Sequence, residues 1–138
     1  MSASSLCFPA AVLMAIVGMG WGILMAMGQD HTMMPAHAHL NLLGWVTLFL
    51  MGVFYRLYPQ IDRSRAALAQ SAVWIVGTIG LITGIALVHG GTAGGDPIAA
   101  ISSLVLVTDM LVFGILVVRG LRLVKDGEAG AARLAAAE

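Results

Sequence analysis

The sequence predicts an all-α integral membrane protein, a bundle of four helices crossing the bilayer. Three observations carry that reading. Of 138 residues, 59% are hydrophobic and only 10% charged, where a soluble domain averages about a quarter charged. Mean hydropathy is +0.94. The apolar residues fall in four continuous runs, each close to the ~20 residues a helix needs to cross hydrocarbon, without the alternation of a β-barrel.

The first run extends from about Phe8 to Met27 without a charge. Met1 to Cys7 has no Lys or Arg, and the run exceeds a usual signal-peptide core, so a retained helix is expected. The second begins near Pro35, which suits the first turn of a helix because its missing amide donor is not needed there. It continues to about Tyr58, meeting Arg56 near its end, and a short polar connection from Pro59 to Arg65 follows. The third covers about Leu68 to Val88. A glycine-rich turn, Gly90 to Gly95, leads to Asp96 as N-cap and Pro97 at the first helical position. The fourth runs from about Pro97 to Val118 and contains Asp109. An Ala-rich tail beyond Arg119, Arg122 and Lys125 is expected to fray. Connections this short make consecutive helices antiparallel neighbours within a single domain, 1–138. Gly18 with Gly22, and Gly80 with Gly84, are small-residue pairs that allow close backbone approach. Gly77 and Gly44 add further room.

Seven basic and seven acidic residues give a formal net charge of zero, so no basic surface points to nucleic acid. The lone Cys7 excludes an internal disulfide and any Cys-rich metal site. All seven basic residues lie at the second connection or toward the C-terminal end. The positive-inside rule then places both termini in the cytoplasm, and the membrane expected for the chain is a bacterial inner membrane. His31, His37, His39 and His89 consequently share the outer, periplasmic level, together with Asp30 and Asp96.

His37 and His39 are two residues apart at the start of the second span. At ~100° per residue they diverge by roughly 200°. On a regular helix they cannot both bind one metal, but they can serve two sites on either flank. A second ligand for each would come from His89, from His31 or from another subunit. The ordinary alternative is an interfacial histidine bonded to headgroups or loop carbonyls. Ionisable residues within a span are nevertheless usually functional.

The stretch His37-Ala38-His39-Leu40-Asn41-Leu42-Leu43-Gly44-Trp45, continuing to Met51-Gly52 and Tyr55-Arg56-Leu57-Tyr58-Pro59, resembles helix two of the haem–copper oxidase superfamily. The likeness is to the large subunit of nitric oxide reductases, where a histidine in a His-x-Asn-Leu-Leu pattern binds the low-spin haem. The matching positions are His39, Asn41, Leu42, Leu43, Gly52, Tyr55 and Pro59, with about a one-residue shift in spacing. Roughly 23 residues, a sixth of the chain, carry it. The family's catalytic subunit has twelve helices in three four-helix arcs, and this chain has four. It lacks a His-Pro-Glu-Val-Tyr-like segment and an adjacent His-His pair, so one chain holds no complete copper triad. In the third arc of that family a His-x-His pair binds two different haems, one on each side, and His37-Ala38-His39 looks like that arrangement.

The resemblance therefore implies one arc assembled as a homotrimer. Independently, if each second helix offers one imidazole to each flank, a haem is held by His39 of one subunit and His37 of the next. Such head-to-tail contacts must close into a ring. Two axial imidazoles give a six-coordinate b-type haem, since no Cys-x-x-Cys-His is present for covalent attachment. Asn41, Gly44 and Trp45 complete the expected cofactor surroundings; Trp45, about 9 Å along the helix from His39, suits a porphyrin edge or equally a packing role. The expected work is electron transfer, with electrons from quinol or a periplasmic donor. Reduction of nitric oxide or dioxygen would need a histidine to detach.

Asp109 lies about 12 residues beyond Pro97, ~18 Å into the membrane, where an aspartate costs roughly 2.5–3.5 kcal/mol on insertion scales. It reads as part of a proton path or quinone site, with Ser102, Ser103 and Thr108 extending a polar track toward the haem level. A structural hydrogen bond, or Arg56 as partner, is the alternative. Two other classes of function stay open. Met25, Met27, Met33 and Met34 near the histidines would suit Cu(I) in a copper-delivery protein, although Met is also a common apolar filler. A cofactor-free assembly subunit is the third.

Overall fold

The structure, a computed structural model, describes residues 1–136, with Leu134 by its backbone alone. Four helices are long and apolar enough to cross a membrane. They are α1 (Ala3–Gly28), α2 (Met34–Leu57), α3 (Arg65–His89) and α4 (Gly95–Ala135). A single helical turn, Pro59–Asp62, joins α2 to α3. No strand occurs among the described residues.

Each helix starts where local chemistry permits. Helix α1 begins at Ala3 because Ser2 forms a capping box with Ser5, so it is longer at its start than the apolar run. Helix α3 is capped by Ser64, whose side chain accepts from the Ala67 amide at 3.1 Å. Helix α4 starts at Gly95, one residue before the expected cap, which places Asp96 inside its first turn, where a carboxylate opposes the positive end of the helix dipole. Gly91 and Gly94 adopt positive φ (71° and 93°) in the preceding turn, a backbone region that only glycine enters at low cost. The expected fraying of the tail is corrected: α4 stays helical to Ala135. Its Ala, Leu, Arg and Lys residues are strong helix formers.

Glycines set the closest approaches. Along the antiparallel seam of α1 and α2, Gly52 lies against Cys7 and Phe8, Gly44 against Met14, Gly18 against Asn41 and Gly22 against His37. Along α3 and α4, Gly77 meets Leu106, Gly80 meets the Ser102 hydroxyl and Gly84 meets the backbone of Ala99. A methyl group at Gly84 has no room. Both small-residue pairs of the sequence therefore bring helices together. Helix α4 packs mainly along α3 and reaches the end of α2 through Phe113, whose ring meets Phe54 and Tyr55 edge-on at 5.4 and 5.8 Å.

Helix α2 is not uniform. Leu40–Thr47 forms π-helical turns between two α-helical segments, Met34–His39 and Leu48–Leu57. The wider turns begin immediately after His39. Within them the Thr47 hydroxyl donates to the Leu42 carbonyl and Trp74 of α3 donates its indole N–H to the Leu43 carbonyl. Such interruptions are concentrated at functional sites.

Candidate functional site

The histidines gather at one end of the bundle, where α1 ends, α2 begins and α3 ends; Arg56, Arg63 and Arg65 lie at the other. Pro35 sits in the first turn of α2 and lets the helix begin three residues before His37. Ala36 and Leu40 are buried and fix the inward face of this segment, so His37 and His39 emerge half-buried.

The two rings meet different surroundings. His37 lies against α1, where a methyl group on Gly22 would stand 3.1 Å from its Cε1. Asn41, one turn on, places Nδ2 3.4 Å from Nδ1 and 3.3 Å from Nε2 of that ring. Near-equal distances mean that the amide addresses neither lone pair along the ring plane. The Asn41 amide bonds instead to the His37 carbonyl at 3.0 Å.

His39 is the better defined. Its Nδ1 is 2.7 Å from the Pro35 carbonyl oxygen. A carbonyl only accepts, so Nδ1 carries the hydrogen and the lone pair of the neutral ring resides on Nε2. A histidine whose Nδ1–H is tied to a carbonyl has its ring orientation and tautomer set for ligation through Nε2. His89 repeats the pattern more loosely, with Nδ1 3.2 Å from the Ile85 carbonyl at the exposed end of α3. His31 is exposed in the first connection. Beside it, the Thr32 hydroxyl and amide donate to Asp30 Oδ1 at 2.6 and 2.9 Å, which holds that carboxyl below its ordinary range.

Among the described residues no three His, Cys, Asp or Glu side chains converge on a metal-sized centre, so His37, His39 and His89 form no joint site within one chain. The other expected members are scattered. Asn41 is held between Gly18 and the His37 carbonyl. The room at Gly44 is occupied by Met14 of the same chain. Trp45 is 41% exposed on an outward face of α2 shared with Leu42, Val46 and Phe49. Of the four methionines, Met25 is buried, Met33 lies near Gly90, and Met27 and Met34 are exposed, so their thioethers do not share one environment.

Asp109 is buried, and its partner is Gln70 of α3: Gln70 Nε2 donates to Oδ2 at 2.7 Å. Tyr55 of α2 donates to Gln70 Oε1 at 2.6 Å. The alternative partner, Arg56, is exposed. Of the expected polar track on α4, Ser102 faces Gly80, and Ser103 and Thr108 return their hydroxyls to the Ala99 and Leu104 carbonyls of their own helix. The chain from Asp109 leads instead across α3 to α2, on the arginine side. Sequence reasoning missed Gln70 and Tyr55; the one available signal was a glutamine within an otherwise apolar helix.

No family model, curated protein or solved structure matches this chain.

Proposed function

We propose that the protein is a membrane b-type haem protein similar to one arc of the haem–copper oxidase core. His39 and His37 would hold the haem iron, and electron transfer within a bacterial inner membrane is its work. The observation that carries this reading is the His39 ring, whose Nδ1–H is spent on the Pro35 carbonyl while Nε2 has no partner among the described residues. The donor set fits the group: imidazoles are its common protein ligands, and no thiol of this chain lies at that level. His37 offers a second half-buried imidazole with neither lone pair squarely engaged.

Because the two imidazoles leave α2 on different flanks, each chain supplies one ligand to each of two sites. A second copy completes each pair, and the ring that results is a homotrimer by the resemblance. When bound, the haem supplies a one-electron redox couple. The Pro35 carbonyl orients His39, Gly22 and Asn41 hold His37, and two imidazoles per iron leave no open position, which favours electron transfer over catalysis. The π-helical turns after His39 also support the likeness, since widened turns are how a helix absorbs one extra residue, the size of the shift that the alignment needs.

The test is optical and low-temperature EPR spectroscopy of the purified protein beside His37→Ala and His39→Ala. The expected result is a Soret band and a low-spin signal in the parent, lost in both variants, with a trimer mass in detergent. Loss in His39→Ala alone would move the second ligand to His89 or His31. A colourless parent binding copper through the Met and His side chains, or binding nothing, would overturn the reading.

A further inference from the structure

The bond pattern around Asp109 dictates where that carboxyl carries a proton. Tyr55 must donate to Gln70 Oε1, because a phenol is the only donor of that pair. The amide nitrogen of Gln70 is thereby aimed at Asp109, whose Oδ2 must accept. A proton on Asp109 consequently resides on Oδ1.

Oδ1 has no hydrogen-bond partner among the described residues, yet it is not sealed in: the one side-chain oxygen both sealed and unpartnered is that of Thr78. Asp109 itself lines a groove of about 310 Å³ between α3 and α4, together with Val73, Leu104, Val105, Thr108 and Val112. A second groove of about 410 Å³ shares Val73 and Val105 and continues along the same seam past Gly77 and Gly80. The glycines that bring α3 and α4 together thus leave a slot on the lipid-facing side, mostly apolar, in which Asp109 is the one carboxyl beside the hydroxyls of Thr108 and Ser102.

Depth decides what can reach that carboxyl. Asp109 lies ~18 Å along the helix from Pro97, well inside a hydrocarbon layer about 30 Å thick. Phospholipid headgroups and ester carbonyls stay at the interfaces. A molecule bringing a hydrogen-bond acceptor to this depth must itself dissolve in hydrocarbon, and a carbonyl on a flat apolar ring with an isoprenoid tail meets both demands.

We propose that the seam between α3 and α4 binds a membrane-soluble quinone, one carbonyl of which accepts the proton on Asp109 Oδ1. This names the lipid-phase partner within the electron-transfer reading. It does not require the haem for binding.

The experiment titrates decylubiquinone into the full-length protein in quinone-free phospholipid nanodiscs, following the quinone carbonyl and the carboxylic-acid C=O bands by infrared spectroscopy. Haem content is measured on the same samples. Saturable binding is expected, with both carbonyl bands shifting together. Asp109→Leu should weaken affinity about tenfold, the worth of one hydrogen bond. Val73→Phe with Val105→Phe, which fills the slot without touching the Tyr55–Gln70–Asp109 chain, should abolish binding with haem content unchanged. Equal affinity in parent and Asp109→Leu would overturn the inference. So would an absence of saturable binding in the parent, with or without haem, including the case in which a second copy covers the seam. Binding by a colourless parent would instead count only against the haem.

Discussion

The two ends of the bundle treat polar groups in opposite ways. Toward the arginine end, buried polar side chains are matched to one another across helices. Asp62 accepts from the Ser4 amide at 2.7 Å and from the Ser4 hydroxyl at 2.9 Å, Cys7 meets Ser71 at 3.2 Å, and Tyr55, Gln70 and Asp109 form one chain. Toward the histidine end, the rings of His39 and His89 each set one nitrogen against a carbonyl of their own helix, and the other nitrogen has no partner among the described residues. In hydrocarbon a polar group without a partner is costly. Matched groups hold helices together; under the proposed function the half-matched His39, next to the widened turns of α2, serves as a ligand. On that reading the difference separates stability from ligation along one bundle.

The largest expected effect follows from breaking the matched end. Gln70→Leu keeps volume but leaves both the Tyr55 hydroxyl and Asp109 without their partner. Interhelical hydrogen bonds in membranes average about 0.6 kcal/mol with a maximum near 1.7, so two lost together should cost about 1–3 kcal/mol. Reversible unfolding in mixed detergent measures it, and the pigment of the folded fraction should be unchanged. Asp62→Ala comes next. It strips the N-terminus of α1 of a carboxylate that caps two donors and opposes the helix dipole, an effect of about 1–2 kcal/mol. Asp62→Asn, which retains one acceptor, should recover part of it.

How far such groups are legible in the sequence differs between the ends for a physical reason. The spans are written in hydropathy, because each must be apolar over its own length. The divergence of His37 and His39 follows from the helical repeat alone. Asp109 announces itself as a charge in a span, but its partner depends on which α3 residue reaches the same depth, and that is set by the lengths of two connections and by the close contact at Gly84. Charge alone therefore points to Arg56, and Gln70 emerges only once the helices are packed. The π-helical turns were illegible too: nothing in Leu40 to Thr47 breaks a regular pattern, and the Trp74–Leu43 bond that accompanies them comes from α3.

At the half-matched end the order of effects should reverse. His39→Ala gives up one bond to the Pro35 carbonyl and some half-buried ring area, which amounts to less than about 1.5 kcal/mol. Its spectroscopic consequence is expected to be complete, with the Soret band lost. A variant that unfolds as readily as Gln70→Leu while keeping its pigment would show that His39 belongs with the matched groups, and the contrast between the two ends would fail at its most defined residue.

The smallest and sharpest test is a single methyl group. In Gly22→Ala the new Cβ would stand 3.1 Å from His37 Cε1, a contact tight enough to displace the ring by a few tenths of an ångström. The gain in helix propensity, up to about 1 kcal/mol, offsets the crowding, so stability should change by little. A ligating imidazole cannot move without altering the iron's ligand field, and the low-spin EPR signal should therefore shift while haem content stays near that of the parent. Gly20→Ala is the matched control, because a methyl group there meets nothing within 4 Å. If the two substitutions leave the same spectrum, His37 only packs against α1, and the second imidazole has to be sought at His89, where the ring is exposed and its Nε2 has no partner among the described residues.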